Sequence, residues 1–428
     1  MAAFVVQGGK RLEGEHTLQG AKNSALPILA ATVATKSVCV IRHCPRLTDV
    51  DATLRILRHL GCAVHREGSD VTVDASTLCE DTIPAALMRE MRSSIIFLGP
   101  LLSATGRAVL TAPGGCEIGL RPIDLHLEAM EALGVEVKAQ GGALRCSAGK
   151  GLRGARVSLS FPSVGATENL MIAAATAQGI TVLTNAAREP EIYDLAAFLN
   201  RCGARIHGAG EGVLVIEGVE RLHGAAHRVI PDRIAAVTFL GAAAITGGEL
   251  LLQNVSLEHM DAALSVLEQG GCRLRRFGKD RLELKMSARL RHFPTVRTMP
   301  YPGFPTDAQA AVMALACVAQ GTSIITETIF ENRFKHVNEL VRMGAHIRVE
   351  GRVAVVEGIR RLRGAAVDAC DLRAGAALVV AGLAAEGETV VSGARHVDRG
   401  CERLEEDLAR LGASIRREEE KDERQKET

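Results

Sequence analysis

The sequence predicts an α/β protein of two domains, built from six copies of one helix-and-strand unit. With 428 residues the chain is longer than one ordinary hydrophobic core requires. Six segments also look alike, because each ends an amphipathic helix at a glycine and then enters a strand. The closing glycines are Gly61, Gly134, Gly203, Gly271, Gly344 and Gly412. They recur roughly every 70 residues, a longer period than that of common solenoids. Three copies are expected in each domain.

Each copy also contains an earlier helix that is apolar on all sides. Examples are "ALPILAATVATKSVCVIRHC", "NLMIAAATAQGITVLTNAA" and "AALVVAGLAAEGETVVSGA". A helix without a polar face is normally buried. The glycine that follows the amphipathic helix suits a left-handed C′ cap. The repeated unit is therefore helix, strand, helix, strand, strand, with its first helix buried on every side.

The N-terminal segment matches pieces found later in the chain. "FVVQGGKRLEGEHTLQGAKN" resembles "VLVIEGVERLHGAAHRVIPDR" and "VAVVEGIRRLRGAAVDACDLR", each a strand, a glycine turn and a second strand. The sixth copy lacks this piece and runs from "SIRR" into "EEEKDERQKET", so the first 21 residues are expected to complete it. The predicted divisions are an N-terminal domain (22–230), a C-terminal domain (1–21 with 231–416) and a charged disordered tail (417–428). Two crossings, near Gly20 and Pro231, favour a hinge there.

Composition excludes several classes of function. The formal net charge is +1, which argues against a broad electrostatic surface for nucleic acid. The first residues lack the apolar segment of a signal peptide, and no apolar run is long enough to span a membrane. The eleven cysteines are scattered and never in CxxC spacing, which favours free thiols over disulfides or a zinc site. We therefore predict a cytoplasmic protein with no nucleic-acid partner and no membrane insertion.

The unusual charged and polar residues collect at the turns just before helices. Those that open apolar helices are Lys22, Asn23, Arg92, Asp232, Arg233, Asp307, Asp371 and Arg373. Arg121 and Arg399 lie equally far before their closing glycines, and Arg333 lies near the matching point of the fifth copy. Helix N-termini present unpaired N–H groups and the positive end of the helix dipole, so added cations make them strong anion sites. One arginine before a helix is usually solvated or paired with a carboxylate. The repetition across both domains instead indicates a shared anion that draws the domains together.

The stretch "APGGCEIGLRPIDLH" places Cys116 in a glycine-rich turn close to Arg121. A nearby cation stabilises a thiolate, so this thiol is a candidate for reactivity, although a free thiol in a small-residue turn remains the alternative. The glycines of residues 112–121 predict a mobile lid that orders when a ligand binds. His126 and His396 are interpreted as polar residues at helix starts, since no ligand cluster accompanies them.

A series of motifs in order along the chain resembles the enolpyruvyl transferases that act on UDP-N-acetylglucosamine. They are "QGAKNSALPIL", "MRSSIIFLGPL", "PGGCEIGLRPIDLH", "SVGAT", "NAAREPEI", "PDRI", "FPTDAQ", "TETIFENRF", "DLRAGAALV" and "HVDRG". The resemblance implies two pseudo-symmetric domains, each of three βαβαββ-type repeats forming an inside-out α/β barrel. It implies transfer of the enolpyruvyl group of phosphoenolpyruvate to the 3′-hydroxyl of the sugar nucleotide with release of phosphate, the first committed step of peptidoglycan synthesis. The two substrates are the implied partners, no metal or other cofactor is implied, and partner proteins stay unknown.

The resemblance also assigns roles to residues of this chain. Cys116 is implied as the proton donor and as the site of a covalent phosphoenolpyruvate adduct, and Asp307 as the base beside the 3′-hydroxyl. Lys22 and Arg399 complete the catalytic set. The implied phosphoenolpyruvate-binding residues are Lys22, Asn23, Arg121, Arg333, Arg373 and Arg399. The implied UDP-N-acetylglucosamine-binding residues are Arg92, Arg121, Pro122, Ile123, Asp124, Leu125, Ser163, Val164, Asp307 and Ile329. Some relatives carry a lysine where this chain has Phe161-Pro162, so the contacts of that loop stay open.

Two other functions remain as alternatives. A shikimate-3-phosphate enolpyruvyl transferase would share the fold and the cations, but that family lacks the "PGGC" loop present here. A non-catalytic sugar-nucleotide sensor is expected to have lost Cys116 or Asp307, and both are present. Release of phosphate from a mixture of both substrates separates an enzyme from a sensor.

Overall fold

The computed structural model describes residues 2–111 and 123–419. These residues form two compact units. The first unit contains residues 20–111 and 123–230, and the second contains residues 2–19 and 231–419. The chain passes from the second unit to the first after Gln19, and returns after Ile230. Each unit encloses its own hydrophobic core of aliphatic and aromatic side chains.

The strands of the described residues are short. In chain order they are β1 (Ala2–Gln7), β2 (Glu13–Thr17), β3 (Val38–Arg42), β4 (Ala63–Glu67), β5 (Asp70–Asp74), β6 (Arg107–Thr111), β7 (Glu136–Gln140), β8 (Ala143–Ser147), β9 (Arg156–Ser158), β10 (Ile180–Thr184), β11 (Arg205–His207), β12 (Val213–Glu217), β13 (Ala226–Arg228), β14 (Glu249–Gln253), β15 (Arg273–Phe277), β16 (Arg281–Lys285), β17 (Val296–Arg297), β18 (Thr322–Thr326), β19 (His346–Glu350), β20 (Val353–Glu357), β21 (Ala366–Asp368), β22 (Glu388–Ser392) and β23 (Ser414–Glu419).

Most of the α-helices are longer than the strands. In chain order they are α1 (Lys22–Thr35), α2 (Thr48–His59), α3 (Ala85–Glu90), α4 (Leu98–Thr105), α5 (Asp124–Ala132), α6 (Val164–Ala174), α7 (Pro190–Arg201), α8 (Arg233–Ile245), α9 (Asp261–Gln269), α10 (Gln309–Val318), α11 (Val337–Arg342), α12 (Leu372–Leu383), α13 (Ala394–Val397) and α14 (Leu404–Arg410). Short 3₁₀ helices span Arg92–Phe97, Leu257–His259 and Thr306–Ala308. None of the helices in the described part of the chain is long and apolar enough to cross a membrane.

One strand pattern recurs in all six sheets. The orders are β13-β3-β5-β4, β6-β8-β7 and β9-β10-β12-β11 in the first unit, and β2-β14-β16-β15, β17-β18-β20-β19 and β21-β22-β1-β23 in the second. In each sheet the strand after the apolar helix pairs antiparallel with the third strand of the copy, which pairs antiparallel with the second. A short edge segment joins in parallel, and in the second sheet this is a single bridge from Thr82 to Val109. The structure therefore contains the six predicted copies.

The N-terminal strands divide between two copies. Strand β1 lies between β22 and β23 as the third strand of the last sheet, and its Phe4 is fully buried. Strand β2 pairs in parallel with β14 of the fourth copy instead of completing the sixth. In the first unit β12 and β13 are arranged in the same way, since β13 pairs with β3 of the first copy. In each unit, the strand after the glycine turn (β13 or β2) therefore connects the last copy of the repeat to the first copy.

Three apolar helices pack together at the centre of each unit, α1, α4 and α6 in the first and α8, α10 and α12 in the second. They are buried along almost their whole length. The sheets alternate buried and exposed residues; in β12, Leu214 and Ile216 are buried while Val213 and Val215 are exposed. Helices inside and half-exposed sheets outside give the inside-out α/β barrel that the resemblance implied.

Glycines make two features of this arrangement possible. The six closing glycines have φ angles between 89° and 99°, which confirms the predicted left-handed caps. Gly99 of α4 lies against α6, where a Cβ atom would stand 2.3 Å from the backbone oxygen of Asn169. The backbone N–H of Gly99 donates to Asn169 Oδ1 at 2.8 Å. No side chain fits at residue 99 without separating the two helices.

The last strand extends into the segment predicted to be a tail. The tail was expected from residue 417, but β23 continues to Glu419 and pairs with β1 throughout. Arg417 is also held by the carboxylates of Asp398 and Glu405. These ion pairs and the ladder hydrogen bonds order three residues whose charge alone suggested solvation. Residues 420–428 lie outside the described part of the chain.

Replacing Gly99 with alanine is expected to destabilise the first unit by roughly 1–3 kcal/mol, because the added methyl group meets a backbone atom that cannot rotate away. Denaturant-induced unfolding measures the change. Gly149→Ala is the matched control, since a Cβ there approaches nothing closer than 4.0 Å, and its effect should stay within about 0.5 kcal/mol. Equal midpoints for the two variants would contradict the close helix contact.

Candidate functional site

The central helices of both units begin with the residues that the sequence singled out. In the first unit, α1 starts at Lys22, the 3₁₀ helix that leads into α4 starts at Arg92, and Ser163 caps α6. The corresponding positions in the second unit are Asp232 and Asp371, which cap α8 and α12, and the turn containing Asp307, which leads into α10. Both aspartate caps accept two backbone N–H groups. The polar residues thus gather where the buried helices begin, the one place where such helices can carry them.

Lys22 forms a buried ion pair in the first unit. Its Nζ lies 2.6 Å from Oδ2 of Asp49, which stands in the first turn of α2, and both side chains are more than nine-tenths buried. Asn23, next along α1, is half-buried. The pair fixes the ammonium group at the start of α1, where the helix dipole already favours an anion. Sequence reasoning missed Asp49. A carboxylate in the first turn of an amphipathic helix normally faces solvent and interacts favourably with the helix dipole.

A second buried network holds the start of the same helix. Asp194 of α7 accepts from Ser24 Oγ, from His227 Nε2 at 2.8 Å and from the backbone N of Ile230 at 3.2 Å. Ala21 donates its backbone N–H to the Ile230 carbonyl at 2.7 Å. Asp194 therefore fixes the first turn of α1 together with both segments by which the chain enters and leaves the first unit.

Asn169 of α6 connects the segments that carry the predicted sugar-nucleotide residues. Its Nδ2 donates to the Ile95 carbonyl at 3.0 Å and approaches Nδ1 of His126 at 2.8 Å. Burial lowers the pKa of His126 to about 4, so its ring is neutral and Nδ1 accepts. The start of α5, the start of α6 and the 3₁₀ helix from Arg92 are thus held in one cluster. Ile123, Asp124, Leu125, Ser163 and Val164 all lie at these helix starts.

Glu168 lies buried one turn into α6. Burial above all, and then the carboxylates of Glu191 and Glu189, raise its pKa well above the usual range. The side chain is therefore protonated under conditions where an ordinary glutamate is charged. Sequence reasoning missed this group, because in "SVGATEN" it stands among small and polar residues.

In the second unit, Asp307 is held between two arginines. Arg333 Nη2 donates to its Oδ1 at 2.8 Å, and Arg373 Nη2 donates to its Oδ2 at 2.9 Å. Both guanidinium groups are buried, whereas the Asp307 side chain keeps 26% of its surface exposed. Burial lowers the pKa of Arg373, but the carboxylates of Asp307 and Asp232 raise it by more, so this group stays charged.

One donor of this cluster is unused. Nε of Arg373 is buried and makes no hydrogen bond with any of the described residues. A buried N–H without an acceptor is costly, and an anionic ligand supplies one. The two buried guanidinium groups are therefore suited to binding a small acid, and the partly exposed carboxylate of Asp307 is suited to taking up a proton.

Two further predicted site residues of the second unit are half-buried. Arg399 lies between α13 and α14, and Ile329 lies in the loop after β18.

Three of the predicted site residues lie outside the described part of the chain. They are Cys116, Arg121 and Pro122, and the predicted lid of residues 112–121 lies there as well. The roles assigned to these residues therefore stay predictions. The ten cysteines within residues 2–111 and 123–419 are all free thiols, nine of them buried or partly buried.

Comparison with known proteins gives consistent matches over almost the whole chain. The model of the EPSP synthase (3-phosphoshikimate 1-carboxyvinyltransferase) family matches residues 6–408. UDP-N-acetylglucosamine 1-carboxyvinyltransferase 2 of Caldanaerobacter subterraneus is 53% identical over 97% of this chain and 99% of its own length. The enzyme of the same name, numbered 1, from Symbiobacterium thermophilum is 51% identical, with 97% and 95% covered.

Solved structures give the same picture of the fold. The enolpyruvyl transferase NikO from Streptomyces tendae superposes with a TM-score of 0.87 at 28% identity, covering 97% of this chain and 98% of that one. An EPSP synthase from Acinetobacter baumannii superposes with a TM-score of 0.75 at 19% identity, covering 98% and 100%. The second likeness concerns the fold alone.

Glu168→Gln is expected to stabilise the protein increasingly as pH rises. The folded-state pKa of Glu168 is raised, so wild type loses stability above the ordinary glutamate pKa near 4.5, by about 1.4 kcal/mol per pH unit, until the folded-state pKa is reached. Glutamine does not titrate. Thermal unfolding of both proteins between pH 4.5 and 8 measures the difference. The exposed Glu211→Gln serves as the control, and parallel curves for wild type and Glu168→Gln would show that the buried carboxyl is not protonated.

Proposed function

The chain belongs to the EPSP synthase family and, within it, to the UDP-N-acetylglucosamine 1-carboxyvinyltransferases, and we propose that it transfers the enolpyruvyl group of phosphoenolpyruvate to the 3′-hydroxyl of UDP-N-acetylglucosamine and releases phosphate. This is the first committed step of peptidoglycan synthesis, which takes place in the cytoplasm. Full-length identity of about one half to enzymes of this name supports the substrate assignment over a shikimate-pathway enzyme.

The observation that carries the proposal is the placement of Asp307 between Arg333 and Arg373. Phosphoenolpyruvate has a carboxylate and a phosphate, and guanidinium forks bind either group with two parallel hydrogen bonds. In the proposal Arg333 and Arg373 bind the carboxylate, and the unused Nε of Arg373 donates to it. Lys22, Asn23, Arg121 and Arg399 bind the phosphate side of the substrate. Asp307 then faces the sugar hydroxyl.

The proposed reaction is an addition followed by an elimination. The Cys116 thiol gives a proton to the methylene carbon of phosphoenolpyruvate, which leaves C2 cationic. Asp307 takes the proton of the 3′-hydroxyl as that oxygen bonds to C2, giving a tetrahedral intermediate. Return of a methyl proton to the Cys116 thiolate and departure of phosphate then restore the double bond in the product and regenerate the thiol. The Cys116 sulfur can also bond to C2 itself, which gives the covalent adduct. Each Asp307 oxygen accepts one arginine N–H in this structure.

The sugar nucleotide is proposed to contact the residues that the resemblance assigned to it. The residues are Arg92, Arg121, Pro122, Ile123, Asp124, Leu125, Ser163, Val164, Asp307 and Ile329. Ser163 supports this assignment, because its Oγ accepts from Ala166 N while its O–H remains able to donate. The exposed Phe161 offers an apolar surface where some relatives have a lysine. Residues 112–121 are proposed to close as a lid once the sugar nucleotide is bound.

The proposed function is tested by measuring phosphate release from phosphoenolpyruvate. We expect release that depends on UDP-N-acetylglucosamine and none with shikimate 3-phosphate in its place. Release with shikimate 3-phosphate would make the chain a shikimate-pathway enzyme. Binding of UDP-N-acetylglucosamine without release under any condition would make it a sensor.

Cys116→Ser is expected to reduce turnover on the order of 10²–10⁴-fold, because serine is a much weaker proton donor at this position. The same variant should lose covalent labelling by epoxide phosphonates such as fosfomycin, as followed by intact-protein mass spectrometry. Cys79→Ser is the control, since Cys79 is an exposed free thiol outside the proposed site. Labelling of Cys116→Ser at another cysteine would refute the assignment.

A further inference from the structure

Glu327 is a buried carboxylate in the second unit to which the proposed mechanism gives no role. It directly follows β18 and is the second residue of the motif "TETIFENRF", which begins at Thr326. Only 1% of the residue is exposed to solvent. A carboxylate buried to this degree requires several hydrogen-bond donors to replace water.

Four donors surround the two oxygens of Glu327. Oε1 accepts from Thr298 Oγ1 at 2.9 Å, from the backbone N of Ile329 at 2.8 Å and from the backbone N of Phe330 at 3.0 Å. Oε2 accepts from Thr306 Oγ1 at 2.9 Å. Four hydrogen bonds from three segments of the chain hold this side chain in one orientation.

The two sides of the carboxylate hold two different functional segments. Thr306 is the residue before Asp307, in the 3₁₀ turn Thr306–Ala308. Ile329 belongs to the loop that is proposed to contact the sugar nucleotide. Thr298 supports the same loop, because its Oγ1 accepts the backbone N–H of Thr328 at 2.9 Å. Glu327 thus connects the turn of the proposed base to the loop of the proposed acceptor substrate.

The surroundings of Asp307 explain why such a support is needed. In this structure the Asp307 carboxylate is held by Arg333 and Arg373. The same arginines are proposed to bind the carboxylate of phosphoenolpyruvate, which then competes with Asp307 for their N–H groups. A base that loses ion-pair partners as the substrate binds keeps its place only if its backbone is held independently, and the Thr306–Glu327 hydrogen bond does this.

We propose that Glu327 is a positioning residue that sets Asp307 against the sugar hydroxyl through Thr306, and separately sets the Ile329 loop through the backbone and Thr298. The inference rests on the proposed function. It predicts that the two threonine hydrogen bonds of Glu327 have different kinetic effects. The hydrogen bond from Thr306 affects the chemical step, and the hydrogen bond from Thr298 affects binding of the sugar nucleotide.

The test compares Thr306→Val with Thr306→Ser in the full chain. Valine keeps the shape but removes the hydroxyl, and serine keeps the hydroxyl. We expect Thr306→Val to lower kcat on the order of 10- to 100-fold with KM for UDP-N-acetylglucosamine within about twofold, because small misplacements of a base cost this much. Thr306→Ser should recover most of the loss. Thr298→Val should instead raise KM for UDP-N-acetylglucosamine with a smaller change in kcat.

Two controls separate this role from general stability. Thr295→Val removes an exposed threonine whose hydroxyl bonds only its neighbour's carbonyl, and its kinetics should match wild type. Thermal midpoints are measured for every variant, and Glu327→Gln, which cannot accept on both sides, tests the same link should a threonine variant fail to fold. The inference would be overturned if Thr306→Val and Thr306→Ser had equal kcat. It would also be overturned if Thr306→Val and Thr298→Val changed kcat and KM in the same way. An inactive wild type would instead overturn the proposed function.

Discussion

The constraint on which the structure depends is the burial of three apolar helices on all sides within each unit. A helix surrounded by protein has no face for polar groups, so charged side chains can stand only at its ends. Helix N-termini have unpaired N–H groups that favour negative charge. Lys22, Asp232, Asp307 and Arg373 all stand at such starts. The same packing that forms the core therefore concentrates the polar chemistry at one end of each helix.

The features set by local pattern were predictable from the sequence. Apolar helices, amphipathic helices and the six glycines are encoded within short windows, and the structure has them where the pattern indicated. Long-range pairing was predicted only in part. The glycine-turn repeat identified the N-terminal piece, but its second strand pairs with β14 rather than with the sixth copy. Local sequence does not determine which sheet an edge strand joins, because strands of similar composition fit the same edge. The arrangement of all the sheets in the unit determines the pairing.

The candidate site shows the same division. Cations and capping residues at helix starts were visible because they interrupt apolar sequence. The carboxylates that hold the start of α1 could not be identified from the sequence. Asp49 and Asp194 lie in amphipathic helices, where an acidic residue normally faces solvent. Asp194 becomes a buried acceptor through Ser24, 170 residues away. Glu327 follows a strand whose alternation says nothing about a side chain just beyond its end. Their roles depend on distant donors, which periodicity does not record.

The position of β1 has a consequence for how the polypeptide matures during translation. Residues 20–230 contain all the strands of the three sheets in the first unit, so this unit is able to complete its core as soon as it leaves the ribosome. Strand β1 is synthesised long before β22 and β23, between which it lies. Strand β1 must therefore remain without its two partner strands until both have been synthesised, and its apolar Phe4, Val5 and Val6 cannot be buried in the sheet before then.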